Sequence, residues 1–314
     1  MRGDAKIYVA GHRGLVGSAI VRRLTALGRT NVVVRTRAEL DLTDAVAVDR
    51  FFAEQRPAYV FLAAAKVGGI LANDTFPADF IRDNLLIQTH VIDAAHRYGV
   101  EKLEFLGSSC IYPKLAPQPI REESLLMGPL EPTNEAYAVA KIAGITMVKA
   151  YRKQHGLDGI CLMPTNLYGP GDNFDLKSSH VLPALVRKMH DAKLAGAAEV
   201  TVWGTGTPRR EFLHVDDLAD AAVFAMDEYA GASILNVGVG ADVTIRELAD
   251  TVARVVGFRG RLAFDATKPD GTPRKLLDVS RLSALGWRSK IPLEEGIRST
   301  YAWYVEHAAQ SEAT

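Results

Sequence analysis

Gly11, Gly14 and Gly17 fall at three-residue intervals between an apolar run, Ile7-Tyr8-Val9-Ala10, and a helical pattern from Ser18 to Leu27. A glycine turn in that setting commits the start of the chain to a β-α unit. The first glycine permits the strand-to-helix reversal, the second lets backbone approach a phosphate, and the third lets helix and strand pack closely. The helix start then offers unpaired N–H groups and partial positive charge to an anion. Gly11, His12, Arg13, Gly14, Leu15, Val16 and Gly17 are therefore candidate dinucleotide-binding residues.

The alternation continues. Apolar strands are predicted at Lys6–Ala10, Asn31–Arg35, Tyr59–Ala63, Leu103–Leu106 and Gly159–Pro164, with helices near Gly14–Leu27, Ala45–Gln55, Pro77–Tyr98 and Ala136–His155. This pattern predicts an α/β fold, a Rossmann-type doubly wound parallel sheet covered on both faces. Beyond about Thr165 the pattern weakens, with helices near Val181–Met189, Val215–Glu228 and Ile245–Val255 and a strand at Glu199–Trp203. We expect a cofactor-binding domain over residues 1–165. Residues 166–314 read as a smaller, less regular, mainly substrate-binding domain, with some segments returning to the first sheet.

Composition excludes several classes. Lys plus Arg equals Asp plus Glu at 37 each in 314 residues, so no net charge points to nucleic acid or a membrane surface. Cys110 and Cys161 are the two cysteines, too few for a disulfide framework and compatible with a reducing compartment. The chain enters a strand without a signal-like apolar region, and no apolar run reaches the roughly 18 residues of a membrane span. A cytoplasmic protein without a metal site is expected.

The end of the second strand discriminates between dinucleotides. An acid there would bond a ribose 2′-hydroxyl, whereas a basic residue would pair with a 2′-phosphate. Val34-Arg35-Thr36-Arg37-Ala38-Glu39 places Arg35 and Arg37 at that point, and Arg13 adds charge from the glycine turn. NADPH is expected, with Arg37 as the main phosphate contact and Asp41 near the adenine.

Tyr137 and Lys141 stand four residues apart on a predicted helix, so their side chains share a face. A lysine ammonium beside a phenol stabilises the phenolate and lowers its pKa from roughly 10 toward working pH. Ser108, after the strand Leu103–Leu106, can offer a hydroxyl to a substrate oxygen. The three together predict proton transfer beside a hydride.

This combination resembles the extended short-chain dehydrogenase/reductase superfamily. Gly107-Ser108-Ser109-Cys110-Ile111-Tyr112-Pro113-Lys114 is similar more closely to the GDP-L-fucose synthase family, as are Glu131-Pro132-Thr133-Asn134-Glu135, Pro164-Thr165-Asn166-Leu167-Tyr168-Gly169-Pro170 and Arg210-Glu211-Phe212-Leu213-His214. The resemblance implies a homodimeric epimerase-reductase acting on GDP-4-keto-6-deoxy-D-mannose, with inversion at C3 and C5 before NADPH reduces C4. It adds Cys110 and His180 to Ser108, Tyr137 and Lys141 as catalytic candidates. It extends the cofactor set to Leu42, Leu106, Gly107, Ser108, Ser109, Tyr137, Lys141, Pro164, Thr165, Asn166, Leu167 and His180, and it names Lys188, Trp203, Arg210 and Asp270 as substrate contacts. Read apart from the resemblance, Cys110 also fits a small buried apolar residue, His180 a helix cap or surface residue, and Arg187 a solvated charge. Another nucleotide-sugar epimerase or reductase, or a non-catalytic NADP-binding protein, would share the fold and the glycine turn.

Overall fold

The computed structural model describes residues 1–176, 178–268 and 270–311. Its first half alternates through β1 (Ile7–Ala10), α1 (Leu15–Ala26), β2 (Val32–Val33), α2 (Ala45–Gln55), β3 (Tyr59–Leu62), α3 (Ile70–Thr75), α4 (Pro77–Arg97), β4 (Lys102–Leu106), α5 (Glu135–His155) and β5 (Gly159–Pro164). There follow β6 (Asn166–Tyr168), α6 (Val181–Leu194), β7 (Glu199–Trp203), β8 (Arg209–Arg210), β9 (Phe212–His214), α7 (Val215–Glu228) and β10 (Leu235–Val237). The chain continues with β11 (Val243–Thr244), α8 (Ile245–Val256), β12 (Arg261–Asp265), β13 (Arg274–Lys275), α9 (Ser280–Ala284) and α10 (Leu293–Ser311). Helix starts follow local rules. Asp44 caps α2 by accepting from the N–H groups of Val46 and Ala47, and Thr244 with Glu247 forms a capping box on α8.

Six strands form one sheet in the order β10-β5-β4-β3-β1-β2, with each neighbouring pair parallel. This is the Rossmann-like α/β fold read from the apolar pattern. Both faces are covered, so β1, β3, β4 and β5 are buried at every residue. Ile20 and Leu24 of α1 pack with Leu218 and Ala222 of α7 on one face, while Phe52 of α2, Ile92 of α4 and Ile145 of α5 pack on the other. A third apolar cluster gathers α6, α8 and α10 around Val200 and Val202 of β7.

One element is shorter than the sequence pattern suggests, and one strand is not named from it. The strand expected over Asn31–Arg35 is reduced to Val32–Val33, because this edge strand pairs only with Ile7 and Tyr8 before the chain turns away. β10, too short to show a periodicity, returns from the second half to pair with Leu162, Met163 and Pro164 of β5. From β1 the sheet grows outward to β2 and then, on the other side, to β3. That reversal opens a crevice beyond the carboxyl ends of β1 and β3.

Candidate active site

A cleft of about 770 Å³ lies at the carboxyl ends of these strands. The glycine turn forms its floor. Gly11 has φ +85°, and a Cβ there would stand 2.8 Å from the backbone of Ala64 in the loop after β3. A Cβ on Gly17 would stand 2.1 Å from the Gly11 carbonyl oxygen, so the turn is closed on itself. Gly14 takes the cap position of α1, and no side chain caps that helix. The result is a cradle of backbone N–H groups at a helix start, which fits a dinucleotide pyrophosphate.

The expected cofactor residues are largely brought together. Gly11, Gly14, Leu15, Val16, Gly17, Arg37, Asp41 and Leu42 line one stretch of the cleft, and Leu106, Gly107, Ser108, Ser109, Pro164, Thr165, Asn166 and Leu167 another. His12 and Arg13 belong to the turn but are not among the lining residues; Arg13 is exposed. Arg35 does line the cleft, its guanidinium 5.7 Å from the centre of the Phe51 ring. Arg37 has 80% of its side chain exposed and, among the described residues, holds only a 3.7 Å ion pair with Asp41, so its charge is available to a ligand.

Tyr137, Lys141, Ser108, Cys110 and His180 also line the cleft. Ser108 follows β4 and begins a short 3₁₀ turn over Ser109–Ile111, where its oxygen accepts from the Cys110 N–H at 3.2 Å. That turn faces the start of α5, which carries Tyr137 and Lys141 one helical turn apart. Burial, then the nearby Cys110 sulfur, pushes the Tyr137 phenol up, while the Ser108 hydroxyl partly offsets them. The expectation that Lys141 lowers this phenol is not what the folded chain does. The Lys141 ammonium donates to the Leu106 carbonyl at 2.8 Å and lies 5.8 Å from the Tyr137 ring centre, and its burial lowers its own pKa to about 8. The phenol is thus held as a protonated donor.

His180 precedes α6 without capping it. Its imidazole is open to the cleft yet crowded by protein on its other sides; that crowding and the Lys275 charge lower its pKa. Cys110 is half-buried, and its sulfur receives the Asn134 side-chain N–H at 3.4 Å and the Lys275 ammonium at 3.7 Å. Cys161, by contrast, is buried in the apolar core, where its thiol is pushed up to about 12.

Lys188, Trp203, Arg210 and Asp270 lie outside the cleft lining but form a cluster of their own. The Lys188 ammonium stands 5.4 Å from the Trp203 ring centre. Asp270 accepts from the Thr205 N–H at 2.7 Å and hydroxyl at 2.8 Å, just beyond Trp203, and its charge is felt by Arg210. Trp203 is 63% exposed, a flat apolar face offered to solvent. Arg187 donates to the Phe174 carbonyl and pairs with Asp191, away from this cluster.

Among the residues at the site that the sequence reading did not assign a role are Lys275, Asn134 and Asp172. Lys275 and Asn134 reach the Cys110 sulfur from distant segments, so no spacing rule links them to it. Asp172 lines the cleft with one carboxylate oxygen buried and without a hydrogen-bond partner among the described residues, and burial raises its pKa to about 7. Its place in the Gly169-Pro170-Gly171-Asp172 loop is the only local sign of function, since loops at strand ends carry site residues. Among the described residues no three His, Cys, Asp or Glu side chains stand together as a metal site, and no helix is long and apolar enough to cross a membrane.

Comparison with known proteins agrees with this architecture. The family model described as "NAD dependent epimerase/dehydratase family" matches residues 7–238. A probable GDP-L-fucose synthase 1 from Oryza sativa subsp. japonica is 67% identical over 96% of this chain and 92% of its own. A GDP-L-fucose synthase from Escherichia coli (strain K12) is 57% identical over 96% of this chain and 97% of its own. The crystal structure of a GDP-L-fucose synthetase from Naegleria fowleri bound to NADP superposes with a TM-score of 0.91 at 29% identity, covering 98% of this chain and 96% of that one. The chain belongs to the NAD dependent epimerase/dehydratase family and, within it, to the GDP-L-fucose synthases.

Proposed function

We propose that this chain converts GDP-4-keto-6-deoxy-D-mannose to GDP-L-fucose, by inversion at C3 and C5 and NADPH-dependent reduction at C4. The observation that carries this reading is that one cleft joins Ser108, Tyr137 and Lys141 to a second proton-transfer pair, Cys110 and His180. A simple ketoreductase has no use for that second pair; inversion of two carbons requires it.

NADPH, when bound, supplies the hydride at C4. The backbone cradle of Gly11, Gly14 and Gly17 would hold its pyrophosphate, and Arg37, with Arg35 beside it, its 2′-phosphate. The substrate ketone acidifies C3 and C5 because the electron pair left by proton removal moves to oxygen as an enolate. Ser108 and Tyr137 are donors for that oxygen, a contribution of roughly 3–4 kcal/mol per donor in comparable sites. Cys110 and His180 take a proton from one face of the sugar and return one to the other. In the reduction, the Tyr137 phenol gives its proton to the C4 oxygen, a role suited to a group that burial keeps protonated.

Lys188, Trp203, Arg210 and Asp270 form the site for the GDP moiety in this reading, with residues 1–165 as the cofactor domain and 166–314 as mainly the substrate domain. Identities of 57% and 67% to GDP-L-fucose synthases over nearly the whole chain support it. Two free thiols support a reducing compartment such as the cytoplasm, and a homodimer is proposed by analogy with the family. The deciding experiment follows NADPH absorbance with GDP-4-keto-6-deoxy-D-mannose in D₂O and then examines the sugar by NMR. Stoichiometric oxidation with deuterium at C3 and C5 is expected; reduction without exchange would leave only a ketoreductase.

A further inference from the structure

We infer that Glu211 is a positioning residue for the sugar-nucleotide end of the site: its carboxyl group fastens β13, the strand that pairs with Arg210 and carries Lys275, to the cofactor half of the cleft. The inference rests on the function proposed above and adds the joint through which the two halves of the site keep their spacing.

Glu211 stands between β8 and β9 with 0% of its surface exposed. Three backbone N–H groups converge on its carboxyl oxygens. Oε1 accepts from Val239 at 2.6 Å and Gly240 at 2.7 Å in the loop after β10, and Oε2 accepts from Leu277 at 3.1 Å, just beyond β13. A buried carboxyl group needs such donors, because an unsatisfied one costs more than each bond returns. Gly238 packs so close that a Cβ there would overlap Oε1, so the loop is shaped around this group.

The main chain of the same residue reaches the other way. Its carbonyl accepts from the Asn166 side-chain N–H at 2.8 Å and the Thr165 hydroxyl at 3.3 Å, and both residues line the cofactor cleft. What the carboxyl group holds is visible on β13. Its register sets Arg274 opposite Arg209 and Lys275 opposite Arg210, and the Lys275 ammonium reaches the Cys110 sulfur at 3.7 Å. The Leu276 N–H donates to Gln118 Oε1 at 2.8 Å, and its carbonyl accepts from the Ile120 N–H at 2.8 Å. Gln118 and Ile120 thus hold this stretch to the loop beyond the Cys110 turn, whereas Glu211 holds it to the segment of Arg210. One buried residue joins that segment to β13, to the loop after β10 and to the cofactor cleft.

The test compares Glu211→Gln with Glu211→Ala in the full chain. Glutamine keeps the shape but has a single acceptor oxygen. That oxygen takes the Oε1 position, where two donors converge, and leaves an NH₂ group facing the Leu277 N–H. Glutamine therefore releases β13 and spares the loop after β10; alanine releases both. Hydrogen–deuterium exchange read by mass spectrometry should show residues 276–278 exchanging about tenfold faster in Glu211→Gln, with residues 239–240 within about twofold of wild type. In Glu211→Ala both stretches should exchange faster. With GDP-4-keto-6-deoxy-D-mannose, Glu211→Gln should raise KM for the sugar nucleotide about three- to tenfold while the NADPH Kd, from a fluorescence titration, stays within about twofold. Unchanged exchange in Glu211→Gln would overturn the inference, as would equal acceleration in β4 and β5, which would make Glu211 a stabiliser of the whole fold. Faster exchange at 276–278 with an unchanged KM would overturn it too, since β13 could then move without consequence for the sugar. Because exchange needs no substrate, it decides whether Glu211 fastens β13 even if the wild-type protein fails to turn over this sugar.

Discussion

Glu104 offers a sharp test of the physics of this fold. It sits in the middle of β4 with 0% of its surface exposed, and neither carboxyl oxygen has a hydrogen-bond partner among the described residues. Its register partners on β3 and β5 are Phe61 and Ile160, both in the apolar core. The nearby Lys102 ammonium donates instead to the carbonyls of Ala225 and Met226. Burial therefore outweighs the pull of Lys102 and raises the Glu104 pKa well above its usual 4.5, so the folded chain carries a neutral carboxylic acid. In the unfolded chain the same group ionises near 4.5. Its contribution to stability is then full below that pH and is lost as pH rises toward the folded value, at about 1.4 kcal/mol per pH unit. Glu104→Gln removes the titration, so its stability relative to wild type should improve by about that slope between pH 5 and 6. Glu104→Met removes the unpartnered polar group as well and should add about 1–3 kcal/mol throughout. Urea unfolding midpoints of the three proteins at pH 5, 6 and 7 give both numbers. A wild-type-to-glutamine difference that stays constant over this range would refute a neutral Glu104.

Tyr137→Phe should lower hydride transfer by about 10²–10⁴-fold with NADPH binding intact in a fluorescence titration; near-normal turnover would strip Tyr137 of its role. Arg37→Ala should weaken NADPH by about tenfold and NADH hardly at all, and equal losses would mean that Arg37 does not read the 2′-phosphate. Gly17→Ala places a methyl group 2.1 Å from the Gly11 carbonyl oxygen, so the turn must open. A destabilisation of about 1–3 kcal/mol is expected, partly offset by up to about 1 kcal/mol of helix propensity, together with loss of NADPH binding. Retained binding in that variant would show that the closed turn is not the phosphate cradle.

Much of this protein is legible from sequence because several of its constraints are local. A parallel strand covered on both faces is mostly apolar, so β1, β3 and β5 could be read from their composition, and β4 could be read from its apolar residues despite Lys102 and Glu104. The Gly17 position answers to the Gly11 carbonyl a few residues away, and Tyr137 and Lys141 share a helix face by their spacing. Those same local rules could not place β10, whose three residues enter the sheet only through long-range pairing with β5. They could not assemble Lys188, Trp203, Arg210 and Asp270, which come from separate segments. Nor could they show that Lys275 meets Cys110.

The sequence by itself determined the β-α order, the cofactor turn and the identity of the groups able to move protons. Tertiary structure alone decided their charge states. Burial pushes the Tyr137 phenol up, lowers Lys141 to about 8 and raises Glu104 well above its usual value, and long-range pairing brings Lys275 of β13 to the Cys110 sulfur. The reason is that secondary structure follows contacts within one turn or strand. Charge depends on the solvent excluded and the partners supplied by the whole fold.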